Sequence, residues 1–293
     1  RFRCLHRRSF QNSRYRTEPG DRGAWALRDD GGGNQGVLTF LACLLRQLFS
    51  ALGMLSCENA PYWKTVVSLL ILQQMFSDDT RTKLENIIRG ALLESEEGAG
   101  TAVRNFLCRR FKTGAKVKED FEGQSILKKE QAGLLIEYAR QNNLLLSSIP
   151  EQAVFLTQGG EAKVYLTEDG LSVIKVNGAA YYATWLDYFN SLMIHNLIFP
   201  ETAYEFLGFK YEDSQLVAVV KQVFVTTDTT ADLEAVITVL AFNGFSNIKR
   251  HDFYNQELGL LLEDMHDENV IAKADALLFI DTVFYIAGTN FKY

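Results

Sequence analysis

Prolines number only four in 293 residues, too few for long flexible linkers. Cysteine is equally scarce. Cys4, Cys43, Cys57 and Cys108 form no C-x-x-C pair, and no histidine stands at metal-ligand spacing beside them. That excludes a zinc site of this type and a secreted disulfide framework, and it points to a reducing, cytoplasmic compartment. A clean membrane span is also missing: residues 37–55 (VLTFLACLLRQLFSALGML) carry Arg46 and Gln47 at their centre, so they read as a buried core helix. The Arg-rich head resembles a targeting peptide only weakly, because residues 29–36 (DDGGGNQG) read as a polar turn where a secretory leader would end in a small-residue cleavage site. Positive charge is thin outside the head of the chain. Residues 1–30 hold eight arginines against four acids, a net of +4 that leaves −10 of the total −6 for the rest. An acidic body argues against phosphate-tracking contact with nucleic acid.

What is present is ordinary globular composition, 47% hydrophobic and 23% charged, enough for one large or two ordinary domains. Opening on Arg1 and stopping at Tyr293, the chain reads as a piece of a longer product. Residues 1–36 read as an irregular basic leader and 37–150 as a helical region of unknown function. Within it, Asp79 or Thr80 is placed to cap a helix carrying Leu84, Ile87 and Ile88, and Ser125 to cap one carrying Leu127, Leu134, Leu135 and Tyr138. From about residue 151 the period changes. Val154-Phe155-Leu156, Val164-Tyr165-Leu166 and Val173-Ile174-Lys175-Val176 are short strands joined by tight turns. A helix over 181–197, further strands over 206–209 and 215–225, and a helix capped by Thr229 or Thr230 follow. The fold class is α+β: a helical region, then a β-meander small lobe, a hinge and a short helical large lobe over 151–293.

Phosphoryl transfer needs a glycine-lined roof over the phosphates, a lysine on them, a carboxylate for the acceptor, and an Asn and an Asp for the metal. Candidates occur in that order. Gln158-Gly159-Gly160-Glu161-Ala162-Lys163-Val164 sits between two strands, and Val173-Ile174-Lys175 places a lysine in the next strand. Asp264-Met265-His266-Asp267-Glu268-Asn269 has D-x-x-x-x-N spacing, 89 residues after Lys175, and Phe279-Ile280-Asp281 ends 12 residues after Asn269. Each element alone is common; their order and spacing carry the signal.

With these residues in view, the segment resembles the protein-kinase-like superfamily, most nearly the small kinase domains of polyvalent proteins from phages and conjugative elements. Residues 192–209 (LMIHNLIFPETAYEFLGF), the hinge-like 219–225 (VVKQVFV) and 262–271 (LEDMHDENVI) carry the resemblance. It implies an ATP- and Mg2+-dependent phosphotransferase acting on protein hydroxyl groups. Asp264, Lys175 and a supporting His266 would be catalytic; Gly159, Gly160, Lys175 and Gln222 would bind nucleotide; Asn269 and Asp281 would hold the metal. The partner is then a protein or small-molecule phosphate acceptor, with no membrane.

Several positions depart from that pattern. Thr157 and Ala162 flank a loop with fewer glycines, which lets backbone approach phosphate less freely. No glutamate lies in 181–197 to pair with Lys175; Asp187, Asn190 and His195 are the polar candidates. Leu262 and Glu263 precede Asp264 where His and Arg are usual. Two alternatives follow: a pseudokinase-type nucleotide-binding or protein-interaction module, and a small-molecule kinase. Retention of Asp264, Asn269 and Asp281 together favours the enzyme.

Overall fold

The computed structural model describes residues 76–289, apart from 95–97, 112–120, 150–151, 161, 227–228, 267 and 274–275. The basic leader over 1–36 and the apolar segment over 37–55 lie outside the described residues. Among the described residues, no helix is long and apolar enough to cross a membrane.

Three helices come first. α1 (Asp78–Ile88) starts where the Ser77 hydroxyl accepts the Thr80 amide at 3.1 Å, so the cap is Ser77 and not Asp79 or Thr80. It buries Leu84 and Ile87. α2 (Ala99–Cys108) buries Val103, Arg104 and Leu107. α3 (Phe121–Gln141) begins ahead of Ser125, which stands inside the helix and caps nothing. Its buried residues are Gln131, Leu135 and Ala139, a four-residue spacing that defines one inward stripe.

β1 (Val154–Gln158), β2 (Ala162–Leu166), β3 (Ser172–Asn177), β4 (Glu205–Glu212) and β5 (Gln215–Val223) form an antiparallel sheet in the order β1-β2-β3-β5-β4. The β4–β5 turn is tight because Asp213 and Ser214 both take positive φ, 47° and 64°, which matches the strand twist. Between β3 and β4 lies α4 (Trp185–Ile198). Thr184 accepts the Asp187 amide at 3.1 Å, so this helix starts at Trp185 and not at Tyr181. Eleven of its fourteen residues are buried. Such a helix must be covered all round, and α1, α2 and α3 pack on it together with a strand of the second lobe.

After α3, residues 144–146 lie along the edge of β4. The Phe209 amide donates to the Leu144 carbonyl and the Leu146 amide to the Phe209 carbonyl, both at 2.7 Å. The strand edge is thereby covered. Gly208 permits this approach: a Cβ there would stand 2.5 Å from the Leu144 carbonyl oxygen. One hydrophobic core runs from Leu84 and Leu135 through Phe189 and Phe209 to Leu260 and Phe284. The described residues belong to one compact unit.

Beyond β5 the regular elements are mostly strands, unlike the short helical lobe read from the sequence. β6 (Thr229–Thr230) occupies the residues expected to cap the next helix, and Asp232 caps α5 (Leu233–Phe242) instead. Then come β7 (Ser246–Lys249), β8 (Asp252–Asn255), β9 (Leu260–Glu263), β10 (Val270–Lys273), β11 (Ala276–Phe279) and β12 (Val283–Ile286). They form two small antiparallel sheets, ordered β11-β10-β6 and β12-β9-β8-β7. Runs of four apolar residues between turns are too short for helices and pair as hairpins.

Candidate active site

Strand register brings together residues that lie far apart in sequence. β12 pairs with β9 so that Val283 faces Glu263, which sets Asp264 at the end of β9 close to the start of β12. β10 pairs with β11 so that Val270 faces Phe279, and the Ile280 amide donates to the Asn269 carbonyl at 3.0 Å. Asp264, Asn269 and Asp281 thus all stand at strand ends on one rim. Across from them, β3 presents Lys175 between Val164 of β2 and Val220 of β5. A cavity of about 280 Å³ lies between the two sets, lined by Gly159, Gly160, Lys175, Asp264, Asn269 and Asp281.

Lys175 is buried, and its Nζ donates to Asp281 Oδ1 at 2.5 Å and to the Ile280 carbonyl at 3.1 Å. The ammonium therefore has an anionic partner on the opposite side of the cleft, with no help from a helix glutamate. Asp187, the acid of α4, is used elsewhere: the Thr184 hydroxyl donates to it at 2.7 Å, and burial pushes its carboxyl pKa up. Asn190 accepts from the Arg104 guanidinium at 2.8 Å. His195 is fully buried and serves packing: its Nδ1 meets the Thr282 hydroxyl at 2.7 Å and its Nε2 the Thr202 carbonyl at 2.9 Å.

The loop after β9 holds Asp264 in a left-handed conformation, φ 67°, which Asp tolerates better than most residues and which turns its side chain out of the strand direction. That side chain is 62% exposed. Asn269 Nδ2 donates to the Asp264 carbonyl at 2.8 Å and approaches Oδ2 at 3.4 Å. His266 Nε2 lies 3.4 Å from Asp264 Oδ1, while His266 Nδ1 accepts the Glu268 amide at 3.2 Å. With Nδ1 an acceptor, the proton of the neutral ring sits on Nε2, facing the carboxylate. Hard oxygen donors are present for a small divalent cation: the Asp281 carboxylate and the Asn269 amide oxygen, whose nitrogen end is turned toward Asp264. Two protein donors suit Mg2+, which keeps several ligands from phosphate and water. Among the described residues, no group of three or more His, Cys, Asp and Glu gathers as a metal cage.

At the roof, the Gly159 amide donates to the Ala162 carbonyl at 3.0 Å and closes the β1–β2 turn. Gly160 lies under the Tyr181 hydroxyl, so close that a Cβ would meet it at 2.6 Å. Gln222 departs from its expected place. It is buried on the same face of β5 as Val220, but its Nε2 donates to the Thr202 carbonyl at 2.6 Å, so its amide is engaged beside the cavity and does not line it. Tyr181, Tyr204 and Asn177 do line it. No spacing rule singles them out, because each reaches the cleft from a loop or a strand end.

A five-stranded antiparallel lobe, a buried helix behind its lysine strand, and a cleft facing two aspartates and an asparagine define a protein-kinase-like domain. Residues 128–288 match the family described as serine/threonine/tyrosine kinase found in polyvalent proteins. The match covers more than half of the chain, and the protein belongs to that family. It begins inside α3, ahead of the strands. No curated protein and no solved structure matches the chain.

Proposed function

We propose that this protein is an ATP- and Mg2+-dependent phosphotransferase that acts on protein hydroxyl groups. The observation that carries the reading is the meeting of Lys175, Asp264, Asn269 and Asp281 on one cavity roofed by Gly159 and Gly160. Family membership supports the transferase class. Lys175 would hold the phosphates and Asn269 with Asp281 the metal, which when bound supplies charge neutralisation at the transferring group. Asp264, exposed at the mouth, would orient the acceptor hydroxyl and take its proton as the oxygen attacks the terminal phosphorus and ADP leaves. His266 would keep the Asp264 carboxylate in place through its Nε2–H. The exposure of Asp264 favours a bulky acceptor such as a protein side chain, since nothing described encloses a small one. The acidic body suits a protein acceptor better than a nucleic acid.

The test is incubation of the full chain with γ-labelled ATP and extract of the host cell, with Mg2+ or with EDTA. Labelled protein bands that require Mg2+ are the expected result. Label confined to small molecules would move the acceptor class, and no transfer with intact Mg-ATP binding would favour the pseudokinase alternative.

A further inference from the structure

α4 brings no carboxylate to Lys175. Asp187, its single acid, sits in its first turn under Thr184, and the residues by which α4 reaches the cavity are Tyr188 and Leu192. The groups that surround the Lys175–Asp281 pair come from the connection after α4 instead. Tyr204 is the nearest: its hydroxyl donates to the Ile280 carbonyl at 2.5 Å and lies 3.4 Å from Asp281 Oδ1. Lys175 Nζ uses the same two acceptors and stands 5.3 Å from the centre of the Tyr204 ring, within cation–π reach. Neighbouring residues are held from the same side. The Thr202 hydroxyl donates to the Phe279 carbonyl at 2.5 Å, and His195 Nδ1 meets the Thr282 hydroxyl at 2.7 Å. Each residue from Phe279 to Thr282 is therefore tied to α4 or to the segment that follows it.

We propose that Tyr204 is a positioning residue that takes over the work of the absent helix carboxylate. It fixes the Ile280–Asp281 peptide and steadies both Lys175 and the Asp281 carboxylate. The physical need is specific. In the resting protein Asp281 is neutralised by Lys175, but a loaded site requires Lys175 to serve phosphate and Asp281 to serve the metal. The single proton of the Tyr204 hydroxyl, given to the Ile280 carbonyl, holds the peptide that carries Asp281, and the hydroxyl lies near enough to Oδ1 to turn to it when the ammonium leaves. An aromatic ring beneath the ammonium limits where that group can move.

The inference rests on the phosphotransferase reading, and the experiment separates the two. Binding of the fluorescent nucleotide MANT-ATP to the full chain is titrated with Mg2+, for the wild type and for Tyr204→Phe, with a parallel series in EDTA. Phenylalanine keeps the ring and its packing and removes only the hydroxyl. The expected result is a rise of about tenfold in the Mg2+ concentration for half-maximal binding, with affinity in EDTA unchanged. The melting temperature should move by less than about 3 °C. An unaltered Mg2+ dependence overturns the proposal, whatever the melting temperature does. So does an equal loss in Mg2+ and in EDTA, which assigns Tyr204 to the fold alone. A wild type that binds no Mg-ATP overturns the phosphotransferase reading itself.

Discussion

Lys175 and Asp281 lie 106 residues apart in sequence, yet Nζ and Oδ1 meet at 2.5 Å across the cleft. The lysine side chain is 8% exposed and the aspartate 30%, so the pair is shielded on the lysine side and open on the side where a ligand must enter. A buried ammonium needs an anionic partner, and here the partner is the candidate metal ligand itself.

Lys175→Met should weaken Mg-ATP binding by about tenfold or more, because the variant keeps the length of the stem and loses the charge that steadies phosphate. Stability should change little, since the partly exposed Asp281 can be hydrated when its partner is gone. Nucleotide titration and a thermal melt on the same sample check both halves. Binding unchanged by the substitution would remove Lys175 from the site.

Arg104 should matter for folding and not for chemistry. It is fully buried in α2 and donates to Asn190 Oδ1 at 2.8 Å, the Ala91 carbonyl at 2.8 Å and the Ile87 carbonyl at 3.1 Å. Burial lowers its pKa, and these neutral acceptors hold α1, α2 and α4 together. Arg104→Ala takes a donor from the buried Asn190 amide oxygen and from the Ile87 and Ala91 carbonyls and opens a void, a loss of about 3 kcal/mol or more. Denaturant unfolding measures it; a loss below about 1 kcal/mol would mean that water replaces the guanidinium.

His195 predicts a pH dependence. Burial pushes its pKa down from 6.5 to about 3, the Thr202 carbonyl opposing and the Lys175 charge adding to the shift. The folded-state value lies below the unfolded one, so between them the unfolded chain binds the extra proton. Stability should therefore fall as pH drops from about 6.5 toward 3, by up to about 1.4 kcal/mol per pH unit from this residue. In denaturant midpoints taken across that range, His195→Gln should fall less steeply than the wild type. Parallel curves would show that the imidazole is not kept neutral by burial.

Much of the cleft was legible in the sequence because its chemistry is local. Lys175 stands in an apolar strand, Asp264 and Asn269 share one loop, and Asp281 follows a short hairpin, so spacing alone could align them. Tyr204, Thr202 and the His195–Thr282 contact were not legible, because they are long-range hydrogen bonds that leave no period in the chain. Gln222 was misplaced for a related reason. Gln222 shares the cleft-facing side of β5 with Val220, but the Thr202 carbonyl takes up its amide while Val220 lines the cavity, and strand periodicity carries no sign of that long-range partner. The second lobe was read as helical, but runs such as Leu260–Glu263 and Val283–Ile286 are too short to show a period, and their partners are set by tertiary pairing. Packing of α1 to α3 against α4 was likewise invisible, since an amphipathic pattern shows that a face is buried and not what buries it.

On the proposed phosphotransferase reading, Asp264 takes the acceptor proton while Lys175, Asn269 and Asp281 hold Mg-ATP. Asp264→Asn in the full chain keeps the shape of the side chain and removes its charge and basic site. Single-turnover transfer from labelled ATP and Mg-ATP affinity are measured side by side, with Glu263→Gln as a control. Transfer should fall by about two orders of magnitude or more while affinity barely moves and the control retains most activity. Transfer preserved in Asp264→Asn, or affinity lost together with the fold, would contradict it.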